Sequence, residues 1–140
     1  TSDIEEMMSV GSNENINIII QTGGTQKWHT DDISANSIQR WYIEDGHMVK
    51  IEDIGAGNIG DAKVLSDFIV WGIEKYPADK YAFFFWNHGA GPIGGYGYDE
   101  NYDDSLYFTE NVDALQNAYN KTNEKLAFKT ADIKELELIK

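Results

Sequence analysis

The residue of this sequence best suited to chemistry is His88, in Trp86-Asn87-His88-Gly89. It follows directly on an apolar run at residues 81–86 (Tyr-Ala-Phe-Phe-Phe-Trp) and directly precedes a glycine. An imidazole titrates near neutral pH, so it takes a proton from a nucleophile and returns it to a leaving group. At the carboxyl end of a buried strand it sits where α/β sheets gather their sites. Gly89 lets a substrate carbonyl approach the backbone, and its N–H is a candidate donor to a developing oxyanion. The competing reading of His88 is a polar cap on the strand. His29 and His47 lack such a setting and are assigned no role. The nucleophile is not a thiol of this chain, which has no cysteine; a disulfide framework and a cysteine-ligated zinc site are excluded with it.

Two other patterns resemble known sites. Asp99, Asn101, Asp103 and Glu110 fall at positions one, three, five and twelve of a calcium loop, which makes them candidate oxygen ligands and calcium the ion they would take. The pattern departs from that loop at position six, where Asp104 replaces the required glycine, and Glu110 falls on the predicted helix that follows. An acidic loop is otherwise simply solvated. Gly55-Ala56-Gly57-Asn58-Ile59-Gly60 matches a dinucleotide fingerprint in spacing. That site needs a buried strand before it and an acid about 20 residues on. Here a hairpin arm ending Ile51-Glu52-Asp53 precedes it, and the next strand ends in Asn87-His88. The same spacing recurs from Gly89 to Gly94, but Gly95-Tyr96-Gly97 follows in place of a helix.

The elements that must position His88 read as follows. Residues 2–10 carry Ile4, Met7 and Met8 on one helical face, stopped by Gly11. The β-branched run at residues 16–21 predicts a buried strand ending at Gly23-Gly24. Asp45-Gly46 between residues 41–44 and 47–50 predicts a hairpin. Residues 61–76 are the clearest helix, opened by Asp61, with Val64, Leu65, Phe68, Ile69, Trp71 and Ile73 as its apolar stripe. Residues 81–86 are too continuously apolar for a half-exposed strand, so a buried one is expected. A helix over residues 109–120, capped by Thr109, and a strand over residues 134–140 complete the order. Helix, strand, hairpin, helix, strand, helix, strand argues for an α/β protein whose sheet is parallel and covered by helices.

Composition bounds the partners. With 140 residues and 41% hydrophobic content, the chain has enough apolar surface for one real core. The formal net charge of −13 repels phosphates, so the chain is a poor partner for nucleic acid or an anionic membrane. No apolar run reaches the length of a membrane span. No signal peptide is visible, and the chain opens at Thr1 without a methionine, as a processed piece does.

Taken together, several stretches resemble the clostripain family of cysteine peptidases. They are Asp3-Ile4-Glu5-Glu6-Met7, then Asn15-Ile16-Asn17-Ile18-Ile19 with Gly23-Gly24, and Gly60-Asp61 opening a helix. Asp79-Lys80-Tyr81 leading into Asn87-His88-Gly89-Ala90-Gly91 follows, then Tyr98-Asp99 with Asp104, Leu106 and Glu110. Asn-His-Gly after an apolar strand is the most specific element. The resemblance implies a caspase-like three-layer α/β/α sandwich with a mostly parallel sheet, of which this chain supplies part. It implies an endopeptidase with a Cys-His dyad that cleaves after Lys or Arg and needs no cofactor for the chemistry. His88 takes the base role and Gly89 the oxyanion role.

By the same resemblance, residues 1–140 are the amino-terminal, light-chain part of one catalytic domain. A heavy chain of the same precursor completes it and carries the cysteine. The family's first strand is expected before Thr1 and its cysteine segment after Ile139; Lys140 is then the processing site that self-cleavage after a basic residue leaves. Its substrates are proteins or peptides with Lys or Arg before the scissile bond. The family is usually exported, which implies a secreted, periplasmic or surface protein. Three alternatives stand beside this reading: a non-catalytic binding module of the same fold, a nucleotide-binding α/β protein using Gly55 to Gly60, and a hydrolase pairing His88 with a serine such as Ser105.

Overall fold

A computed structural model describes residues 2–86 and 94–122. The chain divides into two compact units, one of Thr1–Asn58 with Glu100–Tyr102 and one of Ile59–Asp99 with Asp103–Lys140.

In the first unit β1 (Ile19–Thr22), β2 (Ile38–Glu44) and β3 (His47–Gly55) form an antiparallel sheet in the order β1-β2-β3. The central strand is the buried one: Ile38, Gln39, Arg40, Trp41 and Ile43 are all shielded from water. The expected hairpin is there and runs longer than its apolar core suggested, closing with Glu44 opposite His47. Only Gly46 of the Asp-Gly pair takes a left-handed backbone, at φ 80°. The helix α1 (Ser2–Val10) ends against that turn: Gly46 N–H donates to the Met8 carbonyl at 2.9 Å, and Gly11 N–H to the Met7 carbonyl at 2.8 Å. A Cβ on Gly11 would lie 2.7 Å from the Asp45 nitrogen, and its φ is 66°, so this close approach demands glycine. On the outer side, β3 slips twice against β2, leaving Ile54 and Ile51 without a partner. Such bulges twist an edge strand and discourage further pairing.

In the second unit α2 (Ala62–Lys75) packs against α3 (Phe108–Thr122), with a small antiparallel hairpin of β4 (Tyr96–Asp99) and β5 (Asp104–Leu106) beside them in sequence. Leu65, Ile69 and Ile73 of α2 meet Ala114, Leu115 and Ala118 of α3 and Leu106 of β5 in one apolar core. Ala114 and Ala118 are fully buried one turn apart, and side chains this small let the helices approach closely. The predicted Asp61 cap is present: its carboxylate accepts from the Lys63 N–H at 2.7 Å. The cap of α3 differs from the expected Thr109. Glu110 reaches back to accept the Tyr107 N–H at 2.9 Å, the reciprocal half of a capping box.

The mostly parallel caspase-like sandwich is corrected by these findings. Among the described residues both sheets are antiparallel, of three and two strands, with three helices. The reason is connectivity: a parallel pair needs a crossover, commonly a helix. β1 reaches β2 through a loop without a helix, and β2 reaches β3 through a two-residue turn. The strand expected at residues 16–21 starts at Ile19 and pairs antiparallel to β2, half-buried rather than central. The strand expected at residues 81–86 forms no ladder with the described residues, and Phe84 and Trp86 are 72% and 67% exposed. Among the described residues β4 and β5 pair with each other, and no described strand pairs with this apolar run. The strand expected at residues 134–140 lies outside the described residues.

Candidate active site

His88 and Gly89 lie outside the described residues, as does Lys140; the structure describes the chain on both sides of residues 87–93. On the approach, the first residues of the apolar run pack inward at Tyr81 and Phe83 and the run ends exposed. Tyr81 and Phe83 pack on the α2–α3 core. Phe83 meets Phe68 edge-on at 6.4 Å and Phe85 at 4.8 Å. Ala82, Phe84 and Trp86 are exposed. The Tyr81 hydroxyl accepts the Ala78 N–H at 2.8 Å and fixes the entry to the run.

On the far side, Gly95 lies against β5. A Cβ there would sit 2.8 Å from the Leu106 carbonyl oxygen, and its φ is 76°. Phe85 then stacks on Tyr96 with ring centroids 5.6 Å apart and an interplanar angle of 23°. This contact joins a residue three before His88 to one eight after it. An offset aromatic pair contributes about 0.5–1.5 kcal/mol beyond its buried area. The aromatic residues leading to the motif therefore hold both flanks of the histidine segment to one apolar core.

The four candidate metal ligands are each engaged elsewhere. Asp99 is fully buried, and its carboxylate accepts the Ile59 N–H at 2.9 Å. Asn101 donates its amide to the Ala35 carbonyl at 3.4 Å. Asp103 takes a left-handed backbone at φ 52° in the β4–β5 turn and accepts the Tyr98 hydroxyl at 2.7 Å. Glu110 caps α3. Among the described residues no group of three or more histidines and carboxylates is placed to hold a metal ion. Asp103 lies in the turn between β4 and β5, and aspartate tolerates the left-handed position better than most residues.

The glycine pattern at residues 55–60 does not form a dinucleotide site. β3, which precedes it, is a largely exposed hairpin arm ending at Gly55. The amino end of α2 is already occupied by the Asp61 carboxylate, which repels a phosphate. His47 is exposed and pairs with Glu44 at 2.8 Å across the hairpin turn; Trp41 is core. Sequence reasoning passed over Glu100 and Asp53, whose carboxylates organise the loops of the first unit. For Asp53 a signal was present: Asp53-Ile54-Gly55 is a local Asx turn, closed by the Gly55 N–H at 3.0 Å.

No helix among the described residues is long and apolar enough to cross a membrane. No curated protein and no solved structure gives a significant match to the chain. The profile of the Clostripain family, however, matches residues 1–136, nearly the whole length and across Asn87-His88-Gly89. The chain belongs to the clostripain family of cysteine peptidases.

Proposed function

We propose that this chain supplies the general base of a Cys-His endopeptidase that cleaves after Lys or Arg, with the cysteine on polypeptide outside these 140 residues. The observation that carries the reading is the family match running through Asn87-His88-Gly89 in a chain that has no cysteine of its own. In the proposed mechanism His88 takes the proton of the cysteine thiol. The thiolate attacks the substrate carbonyl, and the Gly89 N–H donates to the oxyanion. His88 then protonates the leaving amine, and water, deprotonated by His88, cleaves the thioester. The protein is proposed to be exported and to act as a light chain with a heavy-chain partner. Its net charge of −13 favours the approach of basic peptides as a long-range, salt-screened effect.

The test is hydrolysis of lysyl and arginyl peptide amides by the full-length protein and its His88→Ala variant. Loss of about 10²–10⁴-fold in kcat is the size expected for a general base. Retention of activity in His88→Ala removes the dyad. A full-length protein without a cysteine shortly after Lys140 leaves His88 without a nucleophile to activate and favours the non-catalytic module.

A further inference from the structure

The sheet of the first unit runs out at one end into a cleft of about 250 Å³. Gly24 lies past the end of β1, Ser37 just before β2 and Gly57 past the end of β3; Asn101 and Tyr102 form a fourth wall. The ladder itself stops at Thr22 opposite Gln39 and Ile38 opposite Gly55, so it does not hold these walls. Side chains do. The Asp53 carboxylate accepts from the Ser37 hydroxyl at 2.9 Å, the Gln39 amide at 2.9 Å and the Gly55 N–H at 3.0 Å. It joins the β2 wall to the β3 wall.

Glu100 joins the other two. Its carboxylate accepts from the Gln26 N–H at 2.8 Å and the Thr25 hydroxyl at 3.0 Å. Its carbonyl accepts the Gln26 side-chain amide at 3.1 Å, and its N–H donates to the Gly24 carbonyl at 2.7 Å. The Asn101 amide reaches the Ala35 carbonyl and closes the ring of walls. We propose that Asp53 and Glu100 are the two staples of this cleft, and that acid loosens it by neutralising them.

Both carboxylates are held below their ordinary range by hydrogen bonds to the charged form. For Asp53 the Gln39 amide acts most strongly, then the Gly55 N–H and the Ser37 hydroxyl; Lys50 is the one charged group that adds to them. For Glu100 it is the Gln26 N–H and then the Thr25 hydroxyl, with no charged side chain contributing. A depressed carboxylate contributes stability above its unfolded value and loses it as pH falls through its folded one. The staples are therefore closed at neutral pH and released below the ordinary carboxylate range. The backbone contacts of Glu100 do not titrate, so the walls loosen rather than separate.

Amide hydrogen exchange tests this on the full-length protein, as protection factors for Gln26 and Gly55 between neutral pH and pH about 3. The expected result is a fall of roughly tenfold at both amides, the value of one charge-assisted hydrogen bond, while Ile69 on α2 keeps its protection. Glu100→Gln at Gln26, and Asp53→Asn at Gly55, bring that loss to neutral pH and abolish the further fall. Glu100 is at an exposed position, so Glu100→Gln tests the Glu100 staple even where Asp53→Asn does not fold. Unchanged protection at Gln26 in acid, equal protection in Glu100→Gln, or a fall shared with Ile69 overturns the proposal.

Discussion

In the first unit the buried positions of β2 include Gln39 and Arg40, and both side chains hydrogen-bond to a neighbouring strand. Arg40 donates to Gln21 at 3.0 Å and to Glu52 at 2.9 Å, and the Trp41 indole N–H to the Thr22 hydroxyl at 2.9 Å. In the second unit α2 and α3 meet through Leu65, Ile69, Ile73, Ala114 and Ala118, and the buried Ser66 hydroxyl has no hydrogen-bond partner among the described residues. The difference follows from the elements. A central strand presents side chains to both faces and has neighbours on both edges to satisfy polar ones, whereas a helix satisfies its own backbone and needs only an apolar stripe. A polar substitution is therefore costly where a network closes and cheap where none exists.

Four substitutions break or sharpen that contrast. Ile69→Ala removes the centre of the α2 stripe and is expected to destabilise by about 2–5 kcal/mol in chemical denaturation. A change under about 1 kcal/mol would show that this core collapses around the cavity and is not packed as described. Thr22→Val keeps the shape but strands the Trp41 N–H in a buried site, at an expected cost of about 1–3 kcal/mol. A neutral result would mean that apolar contact alone holds the first unit. Asp61→Ala removes the α2 cap for about 1 kcal/mol, with frayed first-turn amides visible by hydrogen exchange. Ser66→Ala is expected to be neutral or to stabilise by up to about 1 kcal/mol. Clear destabilisation there would reveal a partner for the hydroxyl and erase the distinction between the units.

The local elements were legible where one principle dominated. Asp45-Gly46 marked the hairpin, Gly11 the end of α1, and Asp61 with its apolar stripe the helix α2. The pairing of strands was not legible. Residues 81–86 carry the composition of a central strand, but a strand also needs neighbours, and composition says nothing about where those lie. The alternation of helices with strands suggested crossovers, yet the loop between β1 and β2 contains no helix to make one. At the site, Asn87-His88-Gly89 was legible from residue types and local order, and the family match spans it. The pinch of Phe85 on Tyr96 was hidden because it joins residues eleven apart across a glycine-rich stretch. The Glu100 staple was hidden for the same reason, its partners Thr25 and Gln26 lying 75 and 74 residues away.

The base role of His88 is tested most directly by the pH dependence of cysteine alkylation in the full-length protein, native and His88→Asn. A thiol paired with an imidazole ionises well below the ordinary cysteine value of about 8.5. The predicted result is a reactive thiolate at and below neutral pH in the native protein, and a shift of the alkylation midpoint toward about 8.5 in His88→Asn. Superimposable profiles for the two proteins would contradict the account.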